Sequence, residues 1–368
     1  RGMYVLDDYT PLRHLDATPA KNITRMYPIK RAWRYVERSR LGGGDGRGFQ
    51  GSAYYAAENP AFGAVFTYRL ADGLTSLGEA RRKREKEAGK EGEDLPYPSL
   101  EELRKESDTR DPEVLVLVRD DTGAVVQRIP GPRGKGMHRV TWNLRLESSA
   151  PVTSKDAGAK APKPGGGAPL ALPGTYTAQV VSIVDGAVTE LTQREPFDVE
   201  PLELATFAAK DKAAVLTFQR RAARLERAVL GTDKLIGEFA THLGALRGAV
   251  YRTPSTDLAL LGKIDAARAT LRELEIRMRG DPVLRKDDRP SPRGIRQRVQ
   301  GVTRNLWRVT SAPTATQVLE IERAEALFTP LHAELMAFIG GALSEVTGLA
   351  ADAGAPWTPT RLPDWPPR

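Results

Sequence analysis

Histidines are the first residues of this chain to consider for chemistry. His14, His138, His242 and His332 are scattered over three regions. None is followed, three or four residues later, by a second histidine or a carboxylate in a metal-binding arrangement. Because the chain has no cysteine, disulfides and thiolate metal sites are excluded as well. We therefore expect no metal site and no cofactor site, and we expect His242 and His332, which lie beside apolar stripe positions, to be helix-packing or surface histidines.

Adjacent carboxylates are the second candidates, and they occur as Asp7-Asp8, Asp120-Asp121 and Asp287-Asp288. Neighbouring residues on a strand point to opposite faces, so such pairs do not converge as the two acids of a glycosidase must. The chain also has no G-x-S-x-G or H-E-x-x-H motif. No catalytic residue is predicted within this chain.

An aromatic set near the N-terminus could stack on a sugar. The alternative, which we favour, is that these side chains dock a linker against the following domain. The set comprises Trp33, Tyr35, Phe49, Tyr54 and Tyr55.

The formal net charge of +8 is compatible with an anionic polymer as a partner. The positive residues are interleaved with acidic ones, however, and no known nucleic-acid-binding module is present, so nucleic acid is disfavoured. One arginine series could bind an anionic polymer. Its members spread around a predicted helix, however, so we favour the alternative that they are solvated and form salt links to neighbouring residues. The series is Arg289, Arg293, Arg296, Arg298, Arg304 and Arg308.

Composition and length indicate a multidomain globular protein. The chain has 368 residues, with 40% hydrophobic and 28% charged content. No apolar run approaches the roughly 18–20 residues of a membrane-spanning helix, so we predict no membrane span.

Residues 51–200 have the pattern of strands joined by tight turns. AVFTYRL (64–70) and HRVTWNLR (138–145) alternate, and EVLVLVRD–DTG–AVVQRI (113–129) is typical of a hairpin with a positive φ at Gly123. A second hairpin is predicted at DG (185–186). We predict an antiparallel β-sandwich of the immunoglobulin or fibronectin-III kind, with a charged helical insertion at 76–110 and a low-complexity loop at 150–169.

Residues 201–352 change to a helical period. The first apolar stripe runs from Val215 to Val250 and predicts a helix of about forty residues, or two helices in line near Gly231. Three further helices follow after short loops, which favours an antiparallel four-helix bundle. The fold class is therefore α+β. Residues 353–368 form a Pro- and Trp-rich tail, in which Trp357 and Trp365 are expected to pin the tail to the surface of a neighbouring domain.

Several segments resemble bacterial sortilin-type β-propeller proteins, also described as BNR-repeat or glycosyl-hydrolase-like proteins. RGMYVLDDYTPLRHL (1–15) resembles the closing strand of their propeller, so residues 1–50 are expected to be a remnant of that strand plus a Gly-rich linker. Asn143 stands where the family usually has Asp. The remaining matching segments cover most of the chain: ENPAFGAVFTYRL (58–70), GMHRVTWNLR (136–145), APLALPGTYTAQV (168–180), SAPTATQ (311–317) and GAPWTPTRLPDW (354–365).

The resemblance implies that this chain is the non-catalytic C-terminal accessory region of such a protein. Its role would be structural support of the parent's N-terminal propeller, or binding of a protein or glycan ligand. One alternative is that the parent is an exo-acting, sialidase-like glycosidase whose catalytic residues lie in the propeller; another is binding of an anionic polymer. The resemblance also implies that the parent is exported to the periplasm or the cell exterior.

Overall fold

The computed structural model describes residues 8–14, 23–37, 60–92, 97–152, 167–205 and 207–359. The fold is mixed α+β, as predicted from the sequence, and the chain forms two compact units. The first unit comprises Arg1–Ser148 and Lys155–Leu216, and the second comprises Ser149–Ser154 and Thr217–Arg368. The expectations for the propeller-strand remnant (1–7), the Gly-rich linker (41–51), the low-complexity loop (153–166) and the end of the tail (360–368) lie outside the described residues.

The strands of the first unit belong to two sheets. They are β1 (Arg25–Met26), β2 (Ala32–Arg34), β3 (Ala64–Leu70), β4 (Glu113–Arg119), β5 (Val125–Gly131), β6 (Gly136–Trp142), β7 (Gly174–Val184), β8 (Ala187–Glu190) and β9 (Glu195–Pro201). One sheet has the order β1-β3-β6. The other has the order β2-β9-β7-β4-β5, with β8 also paired to β7.

Local turn chemistry forms the two predicted hairpins. Between β4 and β5, Gly123 has a φ of 82° and Asp120 donates its backbone N–H to the carbonyl of Ala124 at 3.0 Å. Between β7 and β8, Asp185 and Gly186 have φ values of 51° and 79°, as a tight hairpin turn requires. Both hairpin predictions are confirmed.

The pairing of β2 corrects the expectation of purely antiparallel strands. β2 runs parallel to β9, with Ala32 opposite Val199 and Arg34 opposite Pro201, whereas the other named strand pairs are antiparallel. A parallel pair requires a long connection rather than a hairpin. β2 and β9 are separated by more than half of the first unit's chain, so no local sequence signal indicates this pairing.

Side chains from both sheets form a single hydrophobic core. Phe66 and Tyr68 come from β3, Val116 from β4 and Val180 from β7, and all four are fully buried. Trp142, at the end of β6, is also fully buried, as its alternating pattern predicts.

The charged insertion forms two surface helices, as expected. They are α2 (Leu77–Glu91) and α3 (Leu100–Asp108), and none of their described residues is buried. Each begins with a capping box, Ser76 with Glu79 and Ser99 with Glu102, which satisfies otherwise unpaired backbone N–H groups. A short helix, α1 (Thr10–Arg13), precedes the strands.

Helices form the second unit. They are α4 (Lys212–Tyr251), α5 (Ala259–Arg279), α6 (Pro282–Lys286), α7 (Ile295–Leu306), α8 (Ala315–Phe338) and α9 (Ser344–Asp352), with a π-helical segment, Ile339–Leu343, joining α8 to α9. The predicted helix of about forty residues is therefore a single helix, and it continues through Gly231.

The apolar stripes of these helices share one core, which includes Ile236, Leu271 and Leu331. By length and composition alone, one helix among the described residues, Ala315–Asp352, could cross a membrane. We interpret it as a core helix, because the stripe that contains Leu331 is buried in this unit.

The anchor of the tail differs from the prediction. Trp357 exposes 62% of its surface, whereas Ala355 and Thr358 are buried. The backbone N–H of Ala355 donates to the carbonyl of Ala350 at 3.0 Å. Small residues, rather than the large indole, therefore hold the described part of the tail.

Candidate functional site

The histidines do not form a site together. His138 lies in β6 and bonds to the carbonyl of Gly134, and His332 lies in α8, where its ring packs 5.7 Å from that of Phe328. His242 lies in α4 and is buried, which selects the helix-packing alternative for this residue. Among the described residues, no group of three His, Cys, Asp or Glu side chains could hold a metal ion.

The paired carboxylates have local structural roles. Asp120 Oδ1 accepts hydrogen bonds from the backbone N–H groups of Thr122 and Ala124, at 3.1 and 3.0 Å, and so builds the β4–β5 turn. Asp8 Oδ1 accepts from the backbone N–H of Thr10 at 2.9 Å. Asp287 caps the end of α6. Asp7 lies outside the described residues.

Members of the arginine series on α7 form ion pairs within the second unit. Arg296 Nη1 lies 2.8 Å from Asp233 Oδ2, and Arg298 Nη1 lies 2.8 Å from Glu320 Oε2. Asp233 also pairs with Arg279 on α5. The preference for salt links is confirmed for Arg296 and Arg298.

The aromatic set is only partly described. Tyr35 packs edge-on against Phe62, with ring centroids 4.7 Å apart, and this contact agrees with the docking interpretation. Trp33 is 40% exposed, but the guanidinium of Arg31 lies 5.0 Å from its ring centroid. Phe49, Tyr54 and Tyr55 lie outside the described residues.

A buried acid in the second unit was not found from the sequence. Glu226, in α4, is 6% exposed. Its Oε1 accepts a hydrogen bond from Thr303 Oγ1 at 2.7 Å, and its Oε2 accepts one from Ser149 Oγ. A glutamate in a charged helix is ordinarily on the surface. This cluster is evident only in the folded chain, where Ser149 and Thr303 come from distant segments to contact Glu226.

Two arginines of the first unit form the strongest candidate site, which was also missed. The Arg34 site consists of Arg34 at the end of β2, Arg145 just after β6 and Tyr176 in β7. On β2, Ala32 and Arg34 point to the same side, and Ala32 belongs to the hydrophobic core. Arg34 is consequently drawn inward and is only half-exposed.

Backbone contacts fix the two guanidinium groups in place. Arg34 Nε donates to the carbonyl of Ala171 at 2.7 Å, and Arg145 Nη1 donates to the carbonyl of Ala168 at 2.6 Å. The hydroxyl of Tyr176 donates to the carbonyl of Leu172 at 2.8 Å. All three side chains therefore contact the segment that leads into β7.

The backbone around Arg145 has an uncommon conformation. Leu144 is fully buried and has a φ of 54°, in the left-handed region that a leucine rarely adopts. The indole Nε1 of Trp142 donates to the carbonyl of Arg145 at 2.8 Å. Asn143 Oδ1 accepts from the backbone N–H of Arg145 at 3.2 Å, a contact that an aspartate could also make.

The electrostatics of the Arg34 site are unusual for an arginine. Burial lowers the pKa of the Arg34 guanidinium, the Tyr176 phenol acts to raise it, and the positive charge of Arg145 lowers it further. Among the described residues, no carboxylate contributes to this balance. The Arg34 guanidinium is thus partly dehydrated, and its charged form is disfavoured by burial and by the nearby Arg145.

Comparisons of the chain with protein-family models, with curated proteins and with solved structures gave no match.

Proposed function

We propose that this chain is a non-catalytic accessory region of a sortilin-type β-propeller protein, which supports the propeller or binds a protein or glycan ligand. The observation that carries the proposal concerns the two buried carboxylates of the described residues, Glu226 and Asp233. The side-chain oxygens of Glu226 accept bonds from Ser149 and Thr303, and those of Asp233 pair with two arginines.

A general acid or base must reach a proton on its substrate, within hydrogen-bonding distance. Carboxylate oxygens that are already occupied by the chain's own donors are poorly suited to that task. This argues for a structural role of both acids. The segments that resemble the sortilin-type family supply the identity of the proposed parent, and they come from both units.

We propose a finer architecture that suits such a role. The two sheets of the first unit would form an immunoglobulin- or fibronectin-III-like sandwich, because both contribute to one core. The helices α4, α5, α7 and α8 would form an antiparallel four-helix bundle around the second core. Rigid sandwiches and bundles offer surfaces for docking without requiring an active site.

The catalytic part of the proposal is tested by incubating this chain and its full-length parent with a panel of aryl glycosides and peptides. We expect no turnover by this chain. Turnover that persists after purification and disappears in the Glu226→Gln variant would overturn the proposal. Turnover by the parent alone would instead favour the exo-glycosidase alternative, with the catalytic residues in the propeller.

The supporting part is tested by expressing the propeller separately and mixing it with this chain. We expect the two to co-elute in size-exclusion chromatography and the propeller's unfolding midpoint to rise, since binding to a folded state stabilises it. A propeller that neither binds this chain nor gains stability would contradict the supporting role.

A further inference from the structure

We propose that one face of the second unit, formed by α4 and α7, binds an acidic polysaccharide. We call it the arginine face, and it comprises Arg220 and Arg224 on α4, Arg304 on α7 and Arg308 in the turn after α7. The inference deepens the glycan-binding part of the proposed function and rests on it. It names the surface that binds the glycan and the charge that the glycan carries.

The first step of the argument is that α4 and α7 lie side by side and antiparallel. Three contacts connect the two helices, and the positions on α7 fall as those on α4 rise. The contacts join Gln219 to the carbonyl of Leu306 at 3.1 Å, Glu226 to Thr303 at 2.7 Å and Asp233 to Arg296 at 2.8 Å. The α4 members recur at every seventh position, which keeps them on one stripe of the helix.

The second step places arginines of both helices on a common side. Successive residues of a helix are separated by about 100° around its axis. In an antiparallel pair, the residues that directly follow the contact positions therefore lie on the same side of the pair. Arg220 follows Gln219 on α4, and Arg304 follows Thr303 on α7. Val302, which precedes Thr303, is buried in the core, so the core lies on the opposite side.

The third step is that these arginines have no partner of opposite charge. All four members of the arginine face are exposed, and among the described residues none of them forms an ion pair. Arg304 Nη2 donates to Gln300 Oε1 at 3.3 Å, which is a neutral acceptor. Arg221 shows the contrast, because it points elsewhere from α4 and pairs with Glu325.

Acidic residues are scarce in both segments. Residues 295–308 contain none, and residues 216–232 contain one, Glu226. Glu226 is buried, and both of its oxygens already accept hydrogen bonds. Further along α4, Lys234 and Glu238 are one turn apart and offset each other. The positive charge is therefore concentrated at the arginine face.

An anionic partner would relieve a repulsion that the fold retains. Arg220 and Arg224 are separated by four positions on one helix, a spacing at which like charges destabilise it. A guanidinium presents two parallel N–H groups that match the oxygens of a carboxylate or a similar oxyanion. Charge complementarity thus identifies a polyanion as the partner of this face.

The shape of the face favours a polysaccharide over nucleic acid. Two helices whose axes are about 8–10 Å apart are together wider than the major groove, at about 12 Å. Single-stranded nucleic acids are commonly held by stacking on aromatic rings. Trp307, the aromatic residue between Arg304 and Arg308, is 5% exposed and so offers no ring for stacking. A flexible acidic polysaccharide requires neither groove insertion nor stacking.

The test measures binding of the whole chain to polygalacturonate, dextran sulfate, neutral dextran and a short duplex DNA. We expect saturable binding of at least one acidic polysaccharide and none of neutral dextran, with an affinity that falls steeply as salt rises. The tighter of the two acidic probes identifies carboxylate or sulfate as the preferred group. Binding of neither acidic probe, or equally tight binding of the DNA, would overturn the inference.

Paired variants locate the binding surface. Arg220→Gln combined with Arg304→Gln should weaken binding about tenfold or more, as expected for the loss of charge-assisted hydrogen bonds. Arg252→Gln combined with Arg272→Gln is the matched control. It removes the same charge from exposed positions after α4 and on α5, and it should bind like the wild type. Equal weakening in both pairs would show an effect of net charge alone and overturn the assignment.

Two further measurements separate binding from folding and from the supporting role. Because Arg220 and Arg304 have no ion pair to lose, the thermal unfolding midpoint of their Gln variant should not fall. If that variant does not fold, replacing both arginines by Lys retains the charge without the guanidinium, and binding should be intermediate. Co-elution with the propeller is measured separately, so failure of this inference is distinguishable from failure of the proposed function.

Discussion

The two units have cores of different chemistry. In the first unit, aromatic rings meet edge to face: the centroids of Trp142 and Tyr176 are 5.5 Å apart, and those of Phe66 and Phe197 are 5.3 Å apart. The second core is mainly aliphatic and follows the apolar stripes of its helices. Aromatic pairs stabilise a core through directional ring contacts as well as through burial of apolar surface. Aliphatic stripes stabilise a core mainly through close packing that leaves no voids.

Polar groups are also satisfied differently in the two units. In the first unit, long side chains bond to backbone carbonyls, as Tyr68 does to Pro132 at 2.7 Å. In the second unit, side chains pair with each other across helices, as Arg277 does with Glu334 at 2.7 Å. Neighbouring strands lie about 5 Å apart and packed helices about 8–10 Å apart, but ion pairs occur in both units, as between Arg31 and Glu200 at 2.9 Å in the first.

This difference teaches which changes each unit tolerates. The tightest backbone approach is at Gly63 in the first unit, and the buried charge of Asp233 is compensated in the second. Substitutions that add a methyl group near a strand should therefore disrupt the first unit most, and substitutions that remove a buried charge should disrupt the second.

The largest effect is expected for Gly63→Ala in the first unit. The added Cβ would lie 1.8 Å from the carbonyl oxygen of Trp142, and Gly63 has a φ of 117°. We expect a loss of more than about 4 kcal/mol in the free energy of unfolding, because the rigid backbone of Trp142 cannot move aside. Urea unfolding, with hydrogen exchange to locate the change, measures this loss.

Gly136→Ala is the matched control for that substitution. Gly136 has a φ of 116°, but a Cβ there would meet open space. The free energy of unfolding of the control variant should fall by only about 1–3 kcal/mol, which is the cost of the backbone strain. Equal losses in both variants would show that strain, and not close approach, limits the first unit.

A smaller effect is expected for Asp233→Asn in the second unit. The Asp233 side chain is 6% exposed and compensates Arg279 and Arg296, which are 39% and 42% exposed. We expect a loss of about 2 kcal/mol, below the range for fully buried pairs because solvent screens both arginines. Chemical denaturation at low and high salt measures it.

The control for this charge is Asp265→Asn. Asp265 pairs with Arg247, and both side chains are well exposed, at 60% and 40%. Its replacement should change stability by less than about 1 kcal/mol. A comparable loss at both positions would contradict the view that buried charge governs the second unit.

The smallest effect concerns the pH dependence of the second unit. Burial lowers the pKa of His242, and a hydrogen bond with the backbone of Pro359 partly offsets this. Thr347 Oγ1 donates to the carbonyl of Leu343, so His242 Nε2 donates to Thr347. Because burial is the larger of the two effects on its pKa, the neutral ring is the form that the folded state favours.

Because the folded pKa of His242 lies below the unfolded value of about 6.5, its contribution is complete above that pH and is lost as the pH falls below it. Unfolding free energies at pH 7.5 and 5.5 should show a drop that is reduced in His242→Gln and unchanged in the exposed His332→Gln. The acids with lowered pKa, such as Glu334 beside Arg277, stabilise the folded state above about pH 4.5 and lose that contribution only below it, so they do not account for a change between pH 7.5 and 5.5. Identical pH dependence in wild type and His242→Gln would refute this assignment.

Much of the local structure was predictable. The strand at 64–70, the DDTG hairpin and the forty-residue helix follow from alternation, turn residues and a helical period. The parallel pairing of β2 with β9 was not predictable, because nothing near Ala32 specifies a partner strand. The expectation that Trp357 anchors the tail was also wrong, because the neighbouring sequence does not specify what its indole contacts.

The candidate site was the least predictable part. The aromatic and arginine sets drew attention because their residue types are conspicuous, but Arg34 was not singled out. A faint signal existed: in the strand Ala32-Trp33-Arg34, the arginine alternates with the tryptophan and shares a side with the small apolar alanine. Only the inward orientation of that side makes the arginine unusual.

The sequence by itself determined the elements, since period, caps and turns act over a few neighbouring residues. The tertiary structure decided which charges lie inside and what they contact. Arg34 meets Ala171 across 137 positions, and Asp233 meets Arg279 and Arg296 across 46 and 63 positions. The physical reason is that burial and Coulomb energies depend on distance in space, and folding alone sets that distance for residues so far apart in the chain.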